Sequence, residues 1–110
     1  MQAKNNKKVF RSPSDKIIYE LSDFFKNFGE STRLKIVMAL MNGELCVADI
    51  AEAVGSSVSA VSHQLRVLRQ GKIVKSERDG NMVFYSIDDD HVQTLVEVGL
   101  EHILERKYGK

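Results

Sequence analysis

The chain has one cysteine, Cys46, in 110 residues. No disulfide can close within it, and a lone free thiol fits a reducing cytoplasm. No apolar run approaches the roughly 20 residues of a membrane span. The opening MQAKNNKK lacks the apolar stretch of a secretory signal. Internal repeats and low-complexity tracts are absent as well. These absences predict a cytoplasmic protein of a single domain, large enough for a core and small enough to gain from a partner. Net charge is scarce too: 16 Lys and Arg face 15 Asp and Glu, leaving +1.

That balance hides a polarity. Residues 57 to 78 hold Arg66, Arg69, Lys72, Lys75 and Arg78 against Glu77 alone. Residues 88 to 105 hold Asp88, Asp89, Asp90, Glu97, Glu101 and Glu105 with no Lys or Arg. A basic middle suits phosphate, and an acidic end suits a cation. Hydrophobic residues at 43% and charged residues at 28% describe an ordinary soluble protein.

The most informative stretch is VSAVSHQLRVLRQ, Val58 to Gln70. Val58, Val61, Leu65 and Leu68 recur at spacings of three, four and three, which is one stripe of an α-helix. Ser59, Ser62, His63, Arg66 and Gln70 line up on the other face, with Gln64 at its edge. A face of hydroxyl, imidazole, amide and guanidinium groups without carboxylate suits a nucleic-acid groove. A merely solvated helix face is the plain alternative.

Residues 1–13 read as a flexible basic arm with Lys4, Lys7, Lys8 and Arg11, closed by Pro13. The domain is expected over 14–107. Ser14 or Asp15 caps a first helix in which Ile17, Leu21, Phe24, Phe25 and Phe28 repeat at helical spacing. Three phenylalanines in five residues are a dimer contact or core. Gly29 ends that helix. Ser31 is expected to cap a second one, with Leu34, Val37, Met38 and Met41 buried and Asn42-Gly43 as its stop. A short helix then carries Val47, Ile50, Ala51 and Val54 on one face. The turn Gly55-Ser56-Ser57, with Ser57 as cap, leads into Val58–Gln70, a helix-turn-helix pattern.

Gly71 is expected to end the recognition helix. Ile73 to Arg78 and Asn81 to Ile87 are strand-like, and Asp79-Gly80 between them signals a two-residue hairpin. A β-hairpin after a recognition helix is a wing. Lys75, Arg78 and Asn81 near its tip suit phosphate or a minor groove. A last helix runs from near Asp88 to about Arg106, its leading aspartates favouring the positive end of the helix dipole. The predicted class is α+β, mainly α: a winged helix-turn-helix with a two-stranded wing, forming a homodimer through its first and last helices.

These residues resemble the ArsR/SmtB family of winged-helix repressors. The matching run extends from Phe28 to Ile87, and ELCVADIA followed by SAVSHQLRVLR is its specific part. The resemblance implies a homodimer on double-stranded operator DNA that blocks transcription until an inducer, often a metal ion, releases it. Two copies of Val58–Gln70 in successive major grooves make the expected operator an imperfect inverted repeat. The expected contacts are Ser57, Ser59, Ser62, His63, Gln64 and Arg66 of this helix and Lys75, Arg78 and Asn81 of the wing, with Gln64 and Ser62 as base readers and Arg66 and Arg78 on phosphate or the minor groove. Some members hold soft metals through a CVC motif in the first helix of the helix-turn-helix. Here that stretch is Cys46-Val47-Ala48, so the second thiol is missing, and Cys46 reads as a small buried residue.

The last helix contains Asp89-Asp90-His91 and His102-Ile103-Leu104-Glu105. The zinc-sensing branch of the family carries such a DxH and HxxE pattern, with metal coordinated across the dimer. The resemblance therefore implies Asp89, His91, His102 and Glu105 as ligands. Two nitrogens and two carboxylates suit tetrahedral zinc, and cobalt fits the same donors. Helix geometry agrees. Eleven residues make three turns within about 20°, so His91 and His102 share a face, but they stand roughly 16 Å apart. One ion cannot hold both from one chain, whereas two antiparallel copies would give two identical sites.

The leading function is a metal-responsive repressor released by zinc. An ArsR-type repressor with a non-metal or redox inducer is the alternative within the family. A zinc hydrolase is the rival from another class, but no nucleophile or oxyanion site is visible, and four protein ligands leave no open position for water. A winged helix used only to bind protein is a further alternative, opposed by the carboxylate-free face and basic wing.

Overall fold

The structure is a computed structural model, and it describes residues 9–108. The arm lysines Lys4, Lys7 and Lys8 lie outside the described residues. The elements in order are α1 (Asp15–Phe28), α2 (Ser31–Leu40), β1 (Leu45–Cys46), α3 (Val47–Val54), α4 (Val58–Gln70), β2 (Val74–Asp79), β3 (Met82–Ile87) and α5 (Asp90–Tyr108). The class is the expected one, mainly helical with a winged helix-turn-helix. The sheet gains a strand: β1 pairs antiparallel with β3, and the order is β1-β3-β2. Two residues just ahead of a helix are too short to show the alternation by which strands are recognised.

The core is built from three helices and the base of the hairpin. Ile36, Val37 and Leu40 of α2 meet Ile50 and Ala51 of α3, and Val61, Leu65 and Leu68 of α4. Ile73 and Val74 close it from below, and Val92 and Val96 of α5 from the side. The α4 stripe thus holds at Val61, Leu65 and Leu68. Val58, the first residue of the helix, departs from it at 47% exposure. In α2 the stripe is rotated: Ile36, Val37 and Leu40 are buried, Leu34 and Met41 are half-buried, and Met38 is 42% exposed.

The caps show which polar groups compete. Ser14 Oγ accepts from Ile17 N, and Ser57 Oγ from Ala60 N, as the sequence suggests. At α2 the cap is Glu30, not Ser31; its carboxylate accepts from Arg33 N at 3.0 Å. A charged acceptor at the positive helix end outcompetes a hydroxyl one residue on. At the end of α4, Gly71 has an ordinary φ of −82°, and Lys72 takes the left-handed value of 61°. Ile73 N donates to Leu68 O and Lys72 N to Arg69 O, so a Schellman motif closes the helix on a non-glycine residue.

The hairpin turn is displaced by one residue from Asp79-Gly80. Asp79 pairs with Met82, so Gly80 and Asn81 form the loop and Gly80 carries the positive φ of 69°. Glycine at the first central position is a favoured hairpin geometry. The helix α5 begins at Asp90 rather than Asp88.

Most of α1 and the second half of α5 stand away from this core. The radius of gyration is 17.3 Å, against roughly 13 Å for a compact chain of this length. Only Phe28 of α1 is buried, with Phe24 stacked on it at 5.6 Å, while Ile17, Ile18, Tyr19, Leu21 and Phe25 are exposed. In α5, every residue from Glu97 to Lys107 is exposed.

Candidate nucleic-acid interface and metal centre

The helix α4 offers its polar face as the spacing requires. Ser59, Ser62, His63, Arg66 and Gln70 are exposed, opposite the buried Val61, Leu65 and Leu68. Ser57, at the cap, is exposed as well but already spends its oxygen on Ala60 N. Its first turn carries no carboxylate, so the positive end of the helix is unopposed.

Gln64 is placed differently from its neighbours. It is half-buried, and its Oε1 accepts from Arg33 Nη1 at 2.8 Å. Arg33 is itself anchored, since its Nε donates to Asn27 O in the last turn of α1 at 2.6 Å. Reasoning from the α4 sequence missed Arg33 because the contact joins residues 31 apart, and no local pattern encodes it. A second strut ties the helix to the wing, where Arg69 Nη1 donates to Ser76 Oγ at 2.8 Å. Arg69 therefore has a structural partner beyond its charge.

The strand period sorts the wing residues. Val74 is buried and Ser76 meets α4, so Arg78 belongs to the same face of β2. Lys75 alternates onto the opposite face with Glu77 and Asp79. The two basic residues singled out in the wing are thus not equivalent: Arg78 shares the side of α4, and Lys75 shares a side with two carboxylates. Asn81 is exposed in the turn itself.

The four candidate ligands are all exposed on α5 or at its start. They fall into two pairs. Asp89 Oδ1 lies 3.4 Å from His91 Nδ1, with the His91 side chain 93% exposed and that of Asp89 51% exposed. The same Oδ1 accepts from His91 N at 2.9 Å. Desolvation pushes the Asp89 carboxyl up, but the hydrogen bonds from the His91 side chain and backbone outweigh it together, and the net shift is downward. The Asp89 carboxyl is therefore held below the usual carboxylate value. His102 and Glu105 form the second pair, one helical turn apart on the exposed half of α5. Among the described residues, no three His, Cys, Asp or Glu side chains of one chain converge as a metal cluster. Two nitrogens and two carboxylates fit zinc in donor type, and one chain supplies them as two separated halves.

Cys46 is half-buried rather than buried. It ends β1 and precedes α3, beside a pocket shared with Ser62, Met82 and Tyr85. Among the described residues that line it there is no other Cys and no His.

Comparison with known proteins places this geometry. Residues 30–76 match the family of bacterial regulatory proteins described as the arsR family. The chain is 43% identical over 86 residues to the transcriptional repressor SmtB homolog of Synechocystis sp., a match covering 78% of this chain and 65% of that protein. Among solved structures it is similar to the AntR antimony-specific transcriptional repressor, with 34% identity, 97% of each chain covered and a TM-score of 0.81. It is also similar to the homodimeric winged helix-turn-helix DNA-binding domain of Mb0332 from Mycobacterium bovis, with 27% identity, 92% and 99% coverage and a TM-score of 0.76.

Proposed function

We propose that this chain, which belongs to the arsR family of bacterial regulatory proteins, is a transcriptional repressor that holds operator DNA as a homodimer and releases it on binding zinc. The observation that carries the zinc reading is the division of the ligand set. Asp89 and His91 stand together at the start of α5, and His102 and Glu105 stand together about 16 Å along the same helix. Neither half is a site. Two antiparallel copies of α5 join the halves twice, giving two equivalent sites per dimer.

The exposed apolar surface supports the second copy. Ile17, Tyr19, Leu21 and Phe25 of α1, with Val98, Leu100, Ile103 and Leu104 of α5, leave large apolar side chains exposed along both helices, the kind of surface that a second copy can cover. Beside them, Phe28, Met38, Leu95, Leu100 and Ile103 line an apolar groove of about 330 Å³. Homodimeric Mb0332 supports the same assembly by likeness. Two copies of α4 in successive major grooves would read an imperfect inverted repeat.

Zinc is favoured over a softer ion by the donors. The related AntR repressor is antimony-specific, but no thiol accompanies the α5 ligands here, and soft ions want sulfur. When bound, zinc would join the two α5 helices. Asp89, His91, His102 and Glu105 would orient it. The ligands lie on α5 and not on the DNA-reading face of α4. Zinc therefore acts by favouring a dimer arrangement in which the two α4 helices no longer match their half-sites.

Mixing two defective variants tests the shared site. His91→Ala and His102→Ala homodimers should each lose tight zinc binding. A mixed dimer of one chain each should recover one site of the two, because one pairing keeps both histidines. If mixing restores nothing, or if either variant alone binds like the parent, the shared site is wrong.

A further inference from the structure

We propose that Arg33 is a positioning residue that fixes which edge of the Gln64 amide faces DNA, so that Gln64 reads guanine or thymine and not adenine. The inference rests on the reading of α4 as the DNA-reading helix and makes that reading specific.

The argument begins with donor chemistry. A guanidinium has only N–H donors, so the amide atom 2.8 Å from Arg33 Nη1 must be the carbonyl oxygen of Gln64. The orientation of the amide is therefore settled by its partner. Arg33 cannot easily swing aside to release it. Its Nε is held by Asn27 O at 2.6 Å, and its backbone N–H by the Glu30 carboxylate at 3.0 Å. The side chain is thus tied at the end of α1 and at α4, its backbone is held at the cap of α2, and both Arg33 and Gln64 are half-buried.

The consequence falls on the free end of the amide. With Oε1 engaged by Arg33, the Nε2 hydrogens are the end of the amide left for a base. Reading adenine needs glutamine to donate to N7 and also to accept from the N6 amino group. The accepting atom is here turned into the protein. Guanine presents two acceptors in the major groove, O6 and N7, and thymine presents O4. An amide that offers donors alone fits these bases, whereas adenine would accept one bond at N7 and set its N6 amino group against the second donor. The adenine contact ordinarily expected of a groove-facing glutamine is then not the one made.

Selection from a randomised DNA duplex library, using the full chain, tests this without a defined operator. The parent and Gln64→Ala are compared first, to find the base position that depends on Gln64. In the parent that position should be guanine or thymine, favoured about tenfold over adenine. Arg33→Met frees the amide to turn, so adenine should enter at that position alone. Arg33→Lys keeps a group that only donates, and should restore the parental preference. A merely structural role for Arg33 would lower affinity at all positions without changing which base is chosen at one.

Adenine at the Gln64-dependent position in the parent overturns the proposal. So does an Arg33→Met variant that binds with the parental base preference, or a Gln64→Ala variant that changes no position. If Arg33→Met does not fold, the base found in the parent still decides. A parent that enriches no sequence at all contradicts the repressor reading itself, a different and distinguishable failure.

Discussion

Asp89 Oδ1 accepts a hydrogen bond from the backbone N–H of His91 at 2.9 Å and lies 3.4 Å from the Nδ1 of the same residue. One carboxylate thus caps the start of α5 and stands beside the imidazole with which it would share a metal. The cap comes from the protein alone, and it holds the Asp89 carboxylate beside His91 before any ion arrives. Preorganisation of this kind lowers the cost of binding.

The two roles of Asp89 can be separated. Asp89→Asn keeps an oxygen for the His91 N–H but removes the charge, so it should melt near the parent temperature in chelator yet lose tight zinc binding. Asp89→Ala removes both and should melt lower as well. Thermal unfolding in chelator and a zinc competition titration check the pair of variants.

Glu30 gives the α2 cap a pH signature. Hydrogen bonds from Arg33 N and then Thr32 N hold its carboxyl below the ordinary value of 4.5. Its folded-state value is depressed, so its contribution is complete above 4.5 and lost as the pH falls through the lower folded value. Glu30→Gln should therefore be less stable than the parent at neutral pH, and the difference should close under acid. Urea unfolding of both proteins across that range measures it.

Lys72 and Leu65 test the frame that holds α4. Lys72 takes a φ of 61° at the end of the helix, where glycine carries no Cβ penalty. Lys72→Gly should raise stability by a few tenths to about 1 kcal/mol. Leu65 is 1% exposed, and Leu65→Ala should cost about 2–5 kcal/mol. Val58→Ala, at a position 47% exposed, should cost less than about 1 kcal/mol. Equal costs at Leu65 and Val58 in urea denaturation would contradict the observed burial.

Much of the frame was legible because it is local. Ser57 announces a cap, Gly55 a left-handed turn at φ 73°, and Val61, Leu65 and Leu68 a buried stripe. The Asp89–His91 pair, too, is visible in a three-residue spacing. What escaped depends on partners distant in the chain or on competition between neighbours. Glu30 displaced Ser31 as cap because both were available and one is charged. The rotation of the α2 stripe, with Met38 out and Ile36 in, is set by where α3 and α4 lie. Arg33 reaches Gln64 only because α1, α2 and α4 meet at one point. The strand β1 exists only through β3.

The wing asymmetry predicts unequal DNA contacts. Arg78 shares the β2 face of Ser76, and Lys75 faces the other way with Glu77 and Asp79. Arg78→Ala should weaken binding to all sequences and reduce the slope of log affinity against log salt by about 1. Lys75→Ala should change that slope less. Fluorescence anisotropy over a salt series distinguishes them, and a larger effect at Lys75 would reverse the assignment.

The most direct test of the zinc-released repressor is operator affinity with and without zinc for the parent, His102→Ala and Cys46→Ser. Zinc should weaken the parent by about 5- to 150-fold, a coupling of about 1–3 kcal/mol. His102→Ala should bind operator as the metal-free parent does and ignore zinc, while Cys46→Ser should respond like the parent. A parent indifferent to zinc, or a response lost in Cys46→Ser and kept in His102→Ala, would contradict the account.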